Sequence, residues 1–350
     1  MLDVLRFWFN RGVDGFRVDV SYRVMKDAQF RNNPRNPDWR PGMDPAQQVI
    51  ETRTKNTPDI HLFNRWLREV ADEFEDKVLI GEINLPFPQL VKHYGDLENG
   101  RSEFHLPFNF RLIFTEWHPA AVRALADEYE RRLPAGAWPN WVLGNHDQHR
   151  VASRVGEAQA RVAMLLLLTL RGTPTMYYGD EIGMVDAIIP PDRVQDPWEI
   201  FVPGIGLGRD PERTPMQWDD SKNAGFCPPG VLPWLPVHEN RTAVNVATQQ
   251  SDPTSTLNMT RKLIQLRQNI PALHLGNFQS LDTPDELFAY LRIDADQQCL
   301  VVLNFSNQSQ SWKLPFGVDR LLLSTVGDQP EAIGNGNVHL RPNEGLLFAL

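Results

Sequence analysis

Three short apolar runs, each preceded by a helical stretch and each ending in a carboxylate, constrain this chain more than any other feature. They are Gly15-Phe16-Arg17-Val18-Asp19-Val20, Lys77-Val78-Leu79-Ile80-Gly81-Glu82, and Trp141-Val142-Leu143-Gly144 leading into Asn145-His146-Asp147. The helices before them are predicted over Leu2–Asn10, which ends at Gly12; from about His61, with Leu62, Trp66, Val70 and Phe74 on one stripe; and over Ala120–Arg132, stopped by Pro134. A fourth helix, Ala158–Leu170, leads into Gly172-Thr173-Pro174 and on to Asp180-Glu181. Helical periodicity alternating with short buried strands is the pattern of βα units and a parallel sheet. In a parallel α/β barrel the strand C-termini open onto one face, so Asp19, Glu82 and Asp147 are expected to converge there.

The rest of the chain changes character twice. Residues 186–256 are rich in Pro, Asp and Gly, lack periodicity, and are expected to form long excursions around a site. After a helix over Leu257–Asn269, closed by Pro271, alternating strands are predicted at Leu287–Ile293, Cys299–Asn304, Ser311–Leu314, Arg320–Thr325, Val338–Leu340 and Leu346–Leu350. The expected organisation is a barrel-type catalytic part over 1–270, with the long loop region 186–256, and a small antiparallel β-sandwich over 276–350. No internal repeat or low-complexity tract interrupts it.

Composition narrows the function classes. With 41% hydrophobic residues among 350, there is material for one large core and a smaller one. The net charge of −9 provides no basic field for nucleic acid or anionic membranes. The longest apolar run, Val162–Leu170, is far shorter than the ~20 residues that span a bilayer. Cys227 and Cys299 stand far apart without His or Cys at metal-ligand spacing, which suggests neither a zinc site nor a disulfide framework and favours a reduced, cytoplasmic compartment. No metal-ligating residue is expected, and nothing in the sequence fixes an oligomeric state.

Hydrolysis of a glycosidic bond needs one carboxyl that attacks the sugar carbon and another that protonates the departing oxygen. Arg17, two residues before Asp19 and on the same side of the strand, is placed to hold Asp19 ionised, which suits a nucleophile. Glu82 has no basic neighbour in sequence and so suits a general acid. Asp147, beside His146, suits a grip on sugar hydroxyls. Taken singly, Arg-x-Asp at a strand end is also the pattern of a structural ion pair, and Asn145-His146-Asp147 that of a metal or capping cluster.

Together, Gly15-Phe16-Arg17-Val18-Asp19, Gly81-Glu82 and Asn145-His146-Asp147, in that order, resemble three signature regions of the α-amylase superfamily of glycoside hydrolases. Glu82-Ile83-Asn84-Leu85-Pro86, His105 to Phe110, Gly172 to Met184, and Arg213-Thr214-Pro215-Met216-Gln217-Trp218 are similar to its α-glucosidase, oligo-1,6-glucosidase and trehalose synthase branch. The resemblance implies a (β/α)₈ TIM barrel, of which this chain holds about strands four to eight, followed by a small antiparallel β-sandwich. It implies a retaining double displacement on maltose- or isomaltose-type oligosaccharides, with Asp19 as nucleophile, Glu82 as acid/base and Asp147 stabilising the distorted sugar. It implies substrate-binding roles for Arg17, His146, Arg150 and Arg213. His149 stands where this branch usually has Pro before that Arg, and a structural salt bridge is an equal alternative for Arg213. Val20, after the nucleophile, associates with α-1,6 linkages, a preference worth ~1–3 kcal/mol. No cofactor is implied for the chemistry; the family's structural calcium or magnesium loop belongs to the N-terminal part. The alternatives are a trehalose synthase-type glucosyltransferase and a non-catalytic relative such as a transporter heavy chain.

The family's first signature, an Asp and a His after the third barrel strand, is not encoded before Asp19, nor are the first three strands. A parallel sheet with open edges exposes its core. The expectation is therefore a fragment of a longer product with reduced activity. With p-nitrophenyl α-glucoside, the 350 residues alone should turn over far more slowly than the same chain extended upstream; comparable turnover would overturn this.

Overall fold

Leu5 and Phe9, four residues apart, form the buried stripe of helix α1 (Leu2–Phe9). The helix ends where Gly12 takes a positive φ of 88°. The Phe9 ring packs edge-on against Phe16, centroids 5.0 Å apart, as the chain enters strand β1 (Gly15–Val18). The computed structural model describes residues 1–327, 333–334 and 336–350, the side chains of 333 and 334 excepted. Within it, two units are distinguishable: Met1–Arg111 with Glu128–Trp141, and Leu112–Asp127 with Val142–Leu350.

In the first unit, helix α2 (Ile60–Ala71) carries the chain from β1 to strand β2 (Val78–Gly81). Helix α2 buries Ile60, Asn64, Leu67, Val70 and Ala71. This corrects the expected stripe: Leu62 and Trp66 are each 39% exposed. The true face includes a polar residue, Asn64, which donates to Glu103 at 2.8 Å and sits 2.9 Å from His93 Nδ1, so periodicity of apolar residues alone misplaces it. A short helix α3 (Phe87–Leu90), a hairpin of β3 (Gly95–Asp96) and β4 (Arg101–Ser102), and strand β5 (Leu106–Pro107) follow. β1 pairs in parallel with β2, Arg17 opposite Ile80 and Val18 opposite Gly81, and β2 pairs in parallel with β5. The chain continues through α4 (Arg111–Phe114), α5 (Pro119–Arg132) and β6 (Asn140–Val142).

The second unit continues with α6 (Val151–Val155), α7 (Glu157–Thr169) and β7 (Thr173–Thr175). From Val162 to Thr169 every residue of α7 is buried, as a helix apolar all round must be, between α6, helix α10 (Thr256–Asn269) and the C-terminal sheet. The aperiodic 186–256 segment contains short helical pieces held by side-chain caps: α8 (Pro197–Phe201), capped by Asp196, and α9 (Val246–Ser251), capped by Asn245. Five or six residues cannot show an amphipathic period, which is why they are silent in the sequence.

After α10 and α11 (Pro271–His274), two antiparallel sheets share one core. Strands β8 (Asn277–Leu281), β9 (Leu287–Asp294), β10 (Gln297–Asn304), β12 (Arg320–Ser324) and β15 (Gly345–Ala349) form the first, in the order β12-β15-β10-β9-β8. Strands β11 (Gln310–Lys313), β13 (Ile333–Gly334) and β14 (Asn337–Leu340) form the second. The shared core is built from Ala289, Leu291, Leu300 and Val302 on one sheet and Trp312, Val338 and Leu340 on the other. The part of the expected sandwich at 328–332 and 335 lies outside the described residues.

Arg292 is fully buried on β9 and satisfies, besides Asn277 O at 3.4 Å, three further carbonyls, donating to Leu273 O at 3.0 Å, Gly276 O at 2.8 Å and Thr169 O. Removing it orphans all three. Arg292→Ala is expected to cost about 3 kcal/mol in chemical denaturation followed by tryptophan fluorescence; an unchanged midpoint would rule out this role.

Candidate active site

The parallel register of β1 on β2 brings Val18 level with Gly81, so the next residues, Asp19 and Glu82, leave the sheet side by side. Arg17 spans them. Its Nη1 donates to Asp19 Oδ1 at 2.8 Å and its Nη2 to Glu82 Oε2. Glu82 is held further by the Val20 backbone N–H at 3.3 Å on Oε2, and its own carbonyl accepts from Ser21 Oγ at 3.2 Å. Gly81 is required here: a Cβ would meet the Phe104 ring at 2.6 Å. Val20 has φ 35°, a left-handed conformation costly for a β-branched residue.

The two acids have unequal surroundings. The Asp19 side chain is 71% exposed and that of Glu82 only 10%. Burial first, then a hydrogen bond with Asp19, push the Glu82 carboxyl above its ordinary range, against the lowering effect of Val20 N–H and the Arg17 charge. The expectation that Glu82 lacks a basic neighbour holds only along the sequence; in space Arg17 touches it, and desolvation outweighs that cation.

Asp147 lies in the second unit with donors of its own. Arg209 Nη1 and Arg213 Nη2 each donate to Asp147 Oδ1 at 2.8 Å, and Arg213 Nε donates to His146 O at 2.6 Å. His146 Nε2 stands 3.6 Å from Asp147 Oδ2. Arg209 is oriented by Asp196, to which it donates from Nε at 2.8 Å and from Nη2 at 2.9 Å, and this pairing depresses the Asp196 carboxyl to about 2. The motifs of the sequence do not single out Arg209. Its one signal is the Arg209-Asp210-Pro211-Glu212-Arg213 spacing, which puts a second arginine one turn before Arg213.

Arg150, expected to bind substrate, is fully buried. Its guanidinium lies over the rings of Tyr177 and Tyr178, at 5.0 and 4.7 Å, and donates to Tyr178 O at 2.6 Å. With no exposed surface it offers no donor to a sugar in this structure, and its place is that of an internal cation. Asp180 and Glu212 are buried nearby in the chain's second unit, and burial pushes each carboxyl up to about 7. Two groups among the described residues have the composition of metal ligands: His61, His93 and Glu103, and His149, Asp186 and Glu212. In the first, Glu103 already accepts from Asn64 and lies 3.0 Å from His61 Nδ1.

The raised Asp180 carboxyl sets a pH dependence. The folded chain keeps its proton up to about pH 7 while the unfolded chain loses it near 3.8. Its stabilising effect is therefore complete below about pH 4 and is lost as pH rises through 7. Asp180→Asn should flatten that fall in urea midpoints measured from pH 4.5 to 7.5; an undiminished slope would exclude Asp180 as its source.

Comparison with known proteins shows the family. The family model "Alpha amylase, catalytic domain" matches residues 1–276, and "Maltogenic Amylase, C-terminal domain" matches residues 278–343. An α-glucosidase of Apis mellifera is 36% identical over 89% of this chain and 54% of its own length. An oligo-1,6-glucosidase of Parageobacillus thermoglucosidasius is 30% identical over 99% of this chain and 67% of its own length. The crystal structure of an α-glucosyl transfer enzyme, XgtA, superposes with a TM-score of 0.88 at 30% identity, covering 99% of this chain and 66% of that one. The chain thus spans about half to two-thirds of the length of the relatives it matches. Its fold is a TIM-barrel-type catalytic domain with a C-terminal antiparallel β-sheet domain, and the chain belongs to the α-amylase family of glycoside hydrolases.

Proposed function

We propose that this chain carries the catalytic carboxylates of a retaining α-glucosidase acting on terminal α-linked glucose in maltose- or isomaltose-type oligosaccharides. On this reading β1, β2, β5, β6 and β7 are strands four to eight of the barrel. The observation that carries it is Arg17 bridging an exposed Asp19 and a buried Glu82. Asp19 and Glu82 are also within hydrogen-bonding reach of each other, closer than the ~6.5–9.5 Å that an inverting pair needs to admit water. Asp19 attacks the anomeric carbon as the glycosidic C–O bond breaks, and Glu82 gives its proton to the leaving oxygen. Glu82 then takes a proton from water, whose oxygen displaces Asp19 and restores the α configuration. Asp147 and His146 take the sugar hydroxyls, with Arg213 and Arg209 orienting Asp147.

A transfer reaction is the second reading. It is supported by the similarity to an α-glucosyl transfer enzyme and by a cleft lined by Tyr178, Arg213, Met216, Trp218, Phe226 and Trp234. Exposed aromatic faces there suit an acceptor sugar that competes with water. Products from maltose separate the two: glucose alone for hydrolysis, trehalose for transfer.

In the upstream-extended chain, Asp19→Asn should lower kcat/KM for p-nitrophenyl α-glucoside by roughly three orders of magnitude or more and accumulate no glucosyl-enzyme. Glu82→Gln should retain attack on this activated aryl glucoside but stall at deglycosylation, and azide should rescue it with formation of α-glucosyl azide. A β-configured azide, or full activity in Asp19→Asn, would sink the assignment.

A further inference from the structure

His149, Asp186 and Glu212 converge on one point, each offering an atom within 4.8 Å of the others. None of them has a part in the reaction above. Glu212 is 2% exposed, and its Oε2 is buried without a hydrogen-bond partner among the described residues. A carboxylate oxygen in that position ordinarily finds a donor or a cation. Asp186 is also largely covered, its side chain 16% exposed; Oδ1 accepts from the Arg150 backbone N–H at 2.8 Å and Oδ2 lies 2.8 Å from His149 Nδ1. His149, with its side chain 58% exposed, forms the mouth.

Each neighbouring guanidinium makes contacts of its own. Arg150 lies over Tyr177 and Tyr178 and donates to Tyr178 O. Arg213 donates to Asp147 and to His146 O. The Tyr177 hydroxyl donates to the Glu212 carbonyl, at 3.3 Å. Among the described residues the orphaned oxygen of Glu212 is met by no donor at hydrogen-bonding distance, although the Arg150 guanidinium nearby has Nε and Nη2 buried without partners as well.

We propose that His149 Nδ1, Asp186 and Glu212 form a binding site for one divalent transition ion of the zinc type. One imidazole and two carboxylates suit such an ion, whereas calcium prefers six to eight oxygens. Three protein ligands leave a coordination position open to solvent on the His149 side. Closing from the present spacing onto metal bonds of about 2.0–2.2 Å requires rotation of side chains, which exposed His149 can supply, at the expense of its hydrogen bond to Asp186. The imidazole then carries its proton on Nε2. An ion held here ties together two segments that meet at Asp147: His149 is two residues beyond it in sequence, and Glu212 precedes Arg213, which donates to it. The site stands independently of the glucosidase assignment.

The chain, stripped with EDTA and desalted, should bind one equivalent of Co²⁺, read from its visible absorption, and release it to Zn²⁺. His149→Gln and Glu212→Gln should each weaken Co²⁺ binding by about tenfold or more, while His61→Gln, in the other His and Glu group, leaves it unchanged. His149 is exposed, so its variant keeps the test valid even if Glu212→Gln fails to fold. Three results would overturn the site: no saturable binding, affinity unaltered in His149→Gln, or loss of binding in His61→Gln. Displacement of Co²⁺ by equimolar Ca²⁺ would overturn the ion class.

Discussion

One guanidinium shared between two carboxyls is the interaction on which the first unit's site depends, and the strand register makes it possible. Arg17 pairs with Ile80 across the parallel β1–β2 ladder, so Asp19 and Glu82 emerge at the same level. A slip of one residue would turn every side chain of β1 to the opposite face and take Arg17 away from both acids. The same cation acts on unequal partners. Exposed Asp19 keeps solvent around its charge, while Glu82 loses water on nearly all sides and is raised despite Arg17. The difference between two chemically similar acids therefore follows from burial, with Arg17 supplying position to both. Gly81 belongs to this arrangement, because the Phe104 ring occupies the space of a side chain there.

The acids at strand ends were legible because an apolar run that stops at a carboxylate leaves a trace in composition as well as in order. β5 left none: two residues, Leu106 and Pro107, cannot display a period of two. The face of α2 was misjudged for a different reason. Asn64 lies at its buried centre, satisfied by Glu103 and His93, and a satisfied polar group looks like a surface residue in sequence. Arg150 erred in the opposite direction, a charged residue that sequence places at a surface and the fold encloses above two tyrosines.

The C-terminal sheet shows why strands differ in how openly they announce themselves. From Cys299 to Leu303, β10 is buried on both faces, one toward the β11–β14 sheet and the other toward α7, so its sequence is a continuous apolar run. In β14 buried and exposed positions alternate through Val338, His339 and Leu340, because its outer face meets solvent. Arg292 is a charged residue within the buried layer. It is tolerated because its donors end on carbonyls that the termini of α7 and α11 would otherwise leave unmade.

Long loops without periodicity carry their order in hydrogen bonds rather than in apolar pattern, and the segment around Arg209 and Arg213 illustrates the consequence. Asp196 fixes Arg209 with two side-chain contacts and accepts its backbone N–H at 2.8 Å, so that guanidinium is oriented before it reaches Asp147. Both arginines then converge on a single oxygen, Asp147 Oδ1. The other oxygen is left with His146 at 3.6 Å, beyond hydrogen-bonding distance. Two cations on Oδ1 fix the plane of the Asp147 carboxylate, which on the proposed reading turns Oδ2 to an incoming hydroxyl. On the proposed assignment the loop would determine which half of the carboxylate a sugar meets, a constraint that no motif around Asn145-His146-Asp147 can express on its own.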